Sequence, residues 1–231
     1  MKRKKRGPGR PPGRTSDTTR ANVLLAARIC FARKGFSVTT NRDIADHAGV
    51  TPAALYQYFD SKVALYAAAA NEAVAIVTRH MREQAVQEHG AIATLGAIVR
   101  SLLALHERDP SLAEFLSALP GELQRHPELA RSFVPGRGDD LPKVMGEIVE
   151  RAVTLGEIEE RDARRVAEMF VACMMGLSQY AIFVGDGTNA ATCFADLLEG
   201  HLPKRPARAP AAKASRATAR MSAKSARRAL T

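Results

Sequence analysis

Apolar residues recur along this chain with the period of the α-helix, and no β-type alternation appears. Between Asp17 and Lys34 they fall at Val23, Ala26, Ala27, Cys30 and Phe31, one face of an amphipathic helix that Gly35 closes. From Asn41 to Ala48 they are Ile44, Ala45 and Ala48, with Thr40 placed as an N-cap and Asp43 three residues on, which predicts a helix of about two turns. Gly49 lets the chain turn sharply without a Cβ clash, and Val50 can point back into the seam. Thr51 then reads as an N-cap and Pro52 as a first helical residue, with Leu55 and Phe59 forming the buried side. A fourth helix starts at Asp60 or Ser61 as N-cap and runs through Leu65, Ala69, Ala73 and Ile76 toward Gln87, a connector to a second domain.

Beyond residue 90 helical patterns alternate with breakers. Ile92 to Glu107 is one helix, and Asp109-Pro110 opens a short one that Pro120-Gly121 ends. His126-Pro127 opens a short turn, Val134 to Gly138 is a loop, and Pro142 starts a helix closed by Gly156. Asp162 is placed to cap the next helix, which reaches Val184, and Ala190 to Leu202 forms the last. The fold class is therefore all-α. Phe170 to Val184, an apolar run of about 15 residues interrupted by Ser178 and Gln179, is shorter than the ~20 of a membrane span and reads as a buried helix.

The two short helices around Gly49 carry the most chemistry. Counted from Asn41, Ala45 is fifth, Gly49 ninth and Leu55 fifteenth, the small, glycine and apolar spacing of a helix-turn-helix. The second helix turns Ala53, Ala54, Tyr56, Gln57 and Tyr58 away from its apolar side. Small residues permit close approach to a surface, and Tyr and Gln hydrogen-bond to phosphates or base edges. A plain αα-hairpin in a helical core needs no such face.

These residues carry a family resemblance. Ala-Ala-Arg-Ile-Cys-Phe-Ala-Arg-Lys-Gly-Phe (26 to 36), Thr39 to Ala45, and Leu55-Tyr56-Gln57-Tyr58-Phe59-Asp60-Ser61-Lys62 resemble the first, second and recognition helices of the TetR family of bacterial transcriptional regulators. One departure is Gln57, where the family often has His. The resemblance implies a helix-turn-helix domain over residues 17–66 and a helical regulatory and dimerisation domain over 67–202. It also implies a DNA-binding set of Thr40, Asn41, Arg42, Thr51, Pro52, Ala53, Ala54, Tyr56, Gln57, Tyr58 and Lys62. Of these Tyr56, Tyr58, Thr40 and Lys62 resemble phosphate anchors, while Ala53, Ala54 and Gln57 face the bases. The expected partners are double-stranded operator DNA, a second copy of the chain as homodimer, and a small-molecule effector. Phe115, Leu116, Met145, Met169, Met174 and Tyr180 are candidates to line the effector pocket, although Met and aromatic residues at helical spacing also make plain core.

The charge changes this picture only at the ends. The formal net charge of +10 is concentrated in two tails, with seven Lys/Arg and no acid in residues 1–16, nine and no acid in 203–231, and 18 against 24 acids between them. Both tails lack the apolar residues to fold alone, so a disordered basic arm and a disordered Ala/Pro/Lys/Arg tail are expected, adding affinity for polyanions. The arm's Gly9 to Arg14 resembles an AT-hook incompletely; Arg10 and Arg14 are candidates for the minor groove, with nonspecific phosphate binding the alternative.

Other functions find little support. The charged N-terminus is no secretory signal, and Cys30, Cys173 and Cys193 form no CxxC pair, which suggests a cytoplasmic protein whose cysteines are buried packing. The histidines lack metal-ligand spacing, and neither a catalytic arrangement nor a phosphate loop accompanies the acidic run Glu157 to Asp162. No cofactor, metal or membrane partner is expected, and the chain does not read as an enzyme. Met169, Phe170, Met174, Leu177, Phe183, Phe194, Leu197 and Leu198 make the last two helices more apolar than a monomer needs, which implies a partner subunit unless one core consumes them. The leading reading is a dimeric, ligand-responsive, DNA-binding regulator, usually a repressor in that family. The alternative is an architectural DNA-binding protein acting mainly through its tails.

Overall fold

The computed structural model describes residues 16–87, 90–133 and 141–200. Among them lie ten α-helices and no strand: α1 Ser16–Val38, α2 Asn41–Ala48, α3 Pro52–Tyr56, α4 Lys62–Gln87, α5 Ala91–Arg108, α6 Pro110–Arg125, α7 Pro127–Ser132, α8 Leu141–Thr154, α9 Ala163–Val184 and α10 Thr188–Leu198. The candidate arm residues Arg10 and Arg14, the loop at 134–138 and the tail 203–231 lie outside the described residues.

Two apolar cores organise the helices. In the first, α1 to α4 close around Val23, Phe31, Ile44, Leu55 and Leu65. Its aromatic centre is Tyr66, whose ring lies 4.8 Å from Phe31, 5.4 Å from Phe36 and 5.1 Å from Phe115. Phe115, Leu119 and Leu129 belong to α6 and α7, so this core continues beyond residue 66 into the following helices. The second core gathers Met81, Leu95, Ile98, Met145, Ile148, Phe170 and Ala195 from α4, α5, α8, α9 and α10. The long helix α4 enters both, which makes it the beam between the head and the rest.

Local chemistry sets the helix ends of the head. At Gly35 the backbone takes φ 74°, ψ 170°, kinking α1, and an added Cβ would stand 3.2 Å from Glu122 Oε1. Ser61 Oγ accepts from the Ala64 N–H at 3.0 Å, which settles the N-cap of α4 on Ser61.

Several expectations need correction. Pro120 does not end α6: the helix runs on to Arg125 with Pro120 inside it. Pro120 is exposed, so the Leu116 carbonyl that loses its N–H partner can turn to water, and the helix survives. Asp162 precedes α9 but makes no side-chain cap; its carboxylate accepts from Arg165 at 2.9 Å instead. The last helix begins at Thr188 and stops at Leu198, two residues before Gly200 with φ 76°. Cys30 is buried, and burial pushes its thiol pKa upward, but Cys173 is half-buried and Cys193 exposed.

The largest correction concerns α9. Only Phe170 of its 22 residues is buried, so it is not a core helix of this chain. With the preceding 3₁₀ turn it spans Glu160–Val184, 25 residues of mean hydropathy 1.5, enough in length and composition for a membrane crossing. Yet Phe170, Val166, Val171 and Met174 pack into the second core, and Arg164, Arg165 and Glu168 punctuate its first turns. Its other face, Met169, Ala172, Gly176, Tyr180 and Phe183, is exposed.

Candidate nucleic-acid interface

The helix-turn-helix is assembled by short-range bonds. Thr40 Oγ1 accepts from the Asp43 N–H at 3.1 Å and the Asp43 carboxylate accepts from the Thr40 N–H at 2.8 Å, a reciprocal capping box at the start of α2. Lys34 Nζ donates to Asp43 Oδ1 at 2.8 Å. That bond, then those from Thr40, hold the Asp43 carboxyl well below its usual range, and the same bond raises Lys34. Gly49 takes the left-handed conformation, φ 66°, ψ 39°, and its N–H closes on the last carbonyls of α2. Val50 packs partly buried against the first core. Thr51 Oγ1 then accepts from the Ala54 N–H at 3.1 Å, with Pro52 in the first turn of α3.

Leu55 and Phe59 anchor α3 inward at 0% and 5% exposure. Pro52, Ala53, Tyr56 and Gln57 remain exposed, and Ala54 half-buried. Asn41 Nδ2 donates to Tyr56 Oη at 2.7 Å, tying the N-terminus of α2 to the outer face of α3. Arg42 is exposed on the same module, 3.8 Å from Asp46. The ring of Tyr58 packs partly against the core. Thus nine of the eleven candidate DNA-binding residues sit on α2, α3 and their caps, and Tyr58 lies one residue beyond the end of α3.

Lys62 is bound to the backbone of the head itself. Its ammonium donates to the carbonyls of Phe36 at 2.8 Å, Thr39 at 3.0 Å and Ser37 at 3.4 Å, and lies 4.4 Å from the Phe36 ring centroid. Those three acceptors engage all its donors, so it staples α4 to the loop before α2. Arg28 and Thr39 were not anticipated. Thr39 is fully buried and its hydroxyl reaches the carbonyls of Gly35 at 2.8 Å and Cys30 at 3.1 Å. Arg28, 3% exposed, pairs with Asp109 at the α5–α6 junction, joining head to body. A signal was available: Arg28 lies four residues after Leu24 and three before Phe31, on the buried stripe. A second link is Ser37 Oγ to His126 Nε2 at 3.0 Å.

The body contains a cavity of about 240 Å³ between α4, α5, α6 and α9. Leu116 and Met174 line it, together with Val77, Met81, Leu103 and Phe170. The other four pocket candidates lie elsewhere. Phe115 is spent in the first core beside Tyr66, and Met145 is buried in the second. Met169 and Tyr180 are half-exposed on the outer face of α9, because the helical period turns them away from Phe170 and Met174. Among the described residues no cluster of His, Cys, Asp or Glu is arranged to hold a metal.

An exposed, small-residue recognition helix on a capped three-helix head, carried by an all-α body, defines the class as helix-turn-helix DNA-binding proteins. Residues 23–69 match the family described as bacterial regulatory proteins, tetR family. It is 34% identical over 65 residues to the HTH-type transcriptional repressor BdcR of Escherichia coli, a match covering 28% of this chain and 33% of BdcR. It is 34% identical over 84 residues to the HTH-type transcriptional activator FasR of Mycolicibacterium smegmatis, covering 33% of this chain and 35% of FasR. The similarity thus spans about a third of the length of these curated relatives. Over the whole fold it resembles the transcriptional regulator FadR of Bacillus subtilis, solved with stearoyl-CoA, at TM-score 0.63 and 19% identity, covering 79% of this chain and 98% of that one.

Proposed function

We propose that this protein is a transcriptional regulator that binds duplex DNA as a homodimer, and that it represses from a pseudo-palindromic operator in the cytoplasm. The observation that carries the reading is the coexistence in one chain of an uncovered recognition helix and an uncovered apolar face on α9, with Tyr180 at 50% and Phe183 at 90% exposure. The first surface suits a polyanion and the second suits another copy of itself, since a face this apolar calls for a protein partner. Two copies joined through α9 and α10 would present two recognition helices to successive major grooves, about 34 to 36 Å or about 10 to 10.5 bp apart. Of the two relatives above, one is named a repressor and the other an activator, so repression follows the family's usual mode.

Within each head, Ala53, Ala54 and Gln57 read bases, while Tyr56, Tyr58, Thr40, Thr51, Asn41 and Arg42 contact phosphates, with Pro52 shaping the approach. Lys62 acts indirectly, by holding the loop that positions α2. A small molecule in the cavity is the effector, in keeping with the stearoyl-CoA held by FadR of Bacillus subtilis. The path to DNA is short: Leu112 and Leu116 line the cavity and also belong to, or pack on, the first core, and the Arg28–Asp109 pair stands at the start of the same helix. Expulsion or admission of ligand would shift α6 and hence the head.

Sedimentation and footprinting test this together. A dimer at working concentrations, protecting two half-sites about one helical turn apart, is the expected result. A monomer, or equal affinity for operator and random duplex, defeats the reading. Gln57→Ala should reorder a panel of operator variants, because a bidentate Gln–adenine pair discriminates by about 1 to 3 kcal/mol.

A further inference from the structure

We infer that two polar ties between the head and α6, Arg28 to Asp109 and Ser37 to His126, fix the angle of the head and so select the spacing between operator half-sites; this rests on the reading of the chain as a dimer on a two-part operator. Asp109 is the residue immediately before α6 and His126 the residue immediately after it, so α6 is fastened to α1 at both of its ends. Between the ties the contact is apolar, with Phe31 and Phe36 of α1 and Phe115 and Leu119 of α6 in the first core. Apolar burial is non-directional and supplies attraction more than aim, whereas a hydrogen bond weakens steeply with angle. One tie leaves a pivot; two fix a direction.

Each tie is itself held in place. The Arg28 guanidinium is buried on Asp109, whose other oxygen accepts from Ser111 Oγ at 2.6 Å, and a buried charge does not readily leave its partner. At the far end the kinked Gly35 lies close against Glu122 with no Cβ between them, and Ser37 Oγ meets His126 Nε2 at 3.0 Å. The His126 ring stands edge-on to Phe36 at 5.0 Å, with Glu122 at 3.5 Å and Glu128 at 3.4 Å beside its two nitrogens. Ser37 comes three residues before Thr40, the cap of α2, and Lys62 grips the carbonyls of Phe36, Ser37 and Thr39 around it. The second tie thus holds the stretch that feeds the helix-turn-helix. All four are positioning residues, acting through α1 and that stretch. Duplex DNA turns by about 34° to 36° per base pair, so a head held at one angle faces away from a displaced half-site, while a head free to tilt can follow it.

The probe is the duplex that the full chain selects from a random-sequence library, remade with its centre lengthened or shortened by one and by two base pairs. Fluorescence anisotropy gives the ratio of affinities for the selected and altered spacings; both are measured on one preparation, so any inactive fraction cancels. A dimer that can no longer engage both half-sites loses its avidity, and the parent should weaken about 10²-fold on a two-base-pair change. Ser37→Ala, an exposed position, should shrink that ratio about twofold to tenfold, the worth of one hydrogen bond. His126→Leu should match it, the two together should do no more than either, and His126→Gln, whose amide reaches where Nε2 stands, should keep most of the selectivity. Asp109→Asn should add to Ser37→Ala, because it loosens the other end. A ratio unchanged in both Ser37→Ala and Asp109→Asn, even with every affinity lowered alike, overturns the proposal and leaves the dimer reading standing. A dimeric parent indifferent to spacing overturns it as well. A parent that sediments as a monomer on a single half-site defeats the dimer reading, and the spacing role with it.

Discussion

The head and the last two helices of this protein solve opposite problems. In residues 16–62 most apolar side chains are buried within the chain: Val23, Ala27, Ile44, Ala45 and Leu55 are fully buried, and the caps of α2, α3 and α4 at Thr40, Thr51 and Ser61 bond within three residues of themselves. What α2 and α3 leave outside is mostly small or polar and able to face a phosphate backbone. In α9 the apolar residues are left outside, and the helix contributes one fully buried side chain to its own chain. On the reading proposed above, the head is finished by folding onto its own chain and α9 by association with a second copy.

The sharpest way to break that contrast is Gly176→Glu, at the middle of the exposed stripe of α9. A side chain there meets nothing within 4 Å in the monomer, and replacing a helical glycine adds up to ~1 kcal/mol of helix stability. In a dimer packed on this face the same carboxylate is buried without a partner, at a cost of several kcal/mol. The expected outcome is a more stable monomer that has lost its dimer and about 10² to 10³ of its operator affinity, seen by sedimentation and fluorescence anisotropy. A dimer unchanged by Gly176→Glu would move the interface to another surface.

Leu55→Ala tests the other side. Leu55 is fully buried where α3 meets the first core, so truncation should cost about 2 to 5 kcal/mol by chemical denaturation. Its effect on dimerisation, measured below the unfolding transition, should be small, because the α9 face shares no residue with that core. A loss of dimer in proportion to the loss of head stability would mean the two regions are one cooperative interface.

The head was legible before any coordinates because its signals are local. Thr40 with Asp43, Gly49, and Thr51 with Pro52 each specify a helix end within a few residues, and the structure contains all of them. Long-range partners were not legible. Nothing near Lys62 in the chain says that its ammonium will find Phe36 and Thr39, 26 and 23 residues earlier, and nothing near Arg28 points to Asp109, 81 residues away. The cavity was half-legible for the same reason. Periodicity says that Phe115 and Met174 are apolar positions on helices, but which of two cores each enters depends on how α6 and α9 lie against α4. Pro120 misled because a breaker's effect depends on whether water can reach the freed carbonyl, which the sequence does not state.

Lys62 and Arg42 sharpen the comparison at the surface of the head. Lys62→Ala should lower stability by about 1 to 2 kcal/mol through three lost carbonyl contacts and leave the salt dependence of DNA binding unaltered. Arg42→Ala should do the reverse, with stability unchanged within about 0.5 kcal/mol and the slope of log affinity against log salt reduced by about 0.9. A reduced slope in Lys62→Ala would restore it as a phosphate anchor and show that its carbonyl bonds are exchanged for phosphate on binding.

The smallest expected effect is the pH response of the capping box. Asp43 is held below its ordinary pKa, first by Lys34 and then by the hydroxyl and N–H of Thr40, so the folded state binds its proton less readily than the unfolded chain does. A depressed carboxyl contributes stability that is fully present above the unfolded value of about 4 and is lost as the pH falls toward the folded one. Lys34, whose pKa the same bond raises, contributes at pH below about 10 and loses that contribution as the pH rises past its folded value. Both groups are solvent-accessible, so screening keeps the effect modest. Asp43→Asn should therefore melt slightly below the parent at pH 7, and the gap should begin to narrow between pH 4 and pH 3, where Asp43 of the parent's unfolded chain takes up a proton while the folded carboxylate is still ionised. The gap should also shrink in 1 M salt, where the Debye length falls to about 3 Å, though the neutral part of the cap persists. A gap constant from pH 7 to pH 3 would assign the cost to Asn geometry at the third helical position and remove charge from the account of how α2 is held.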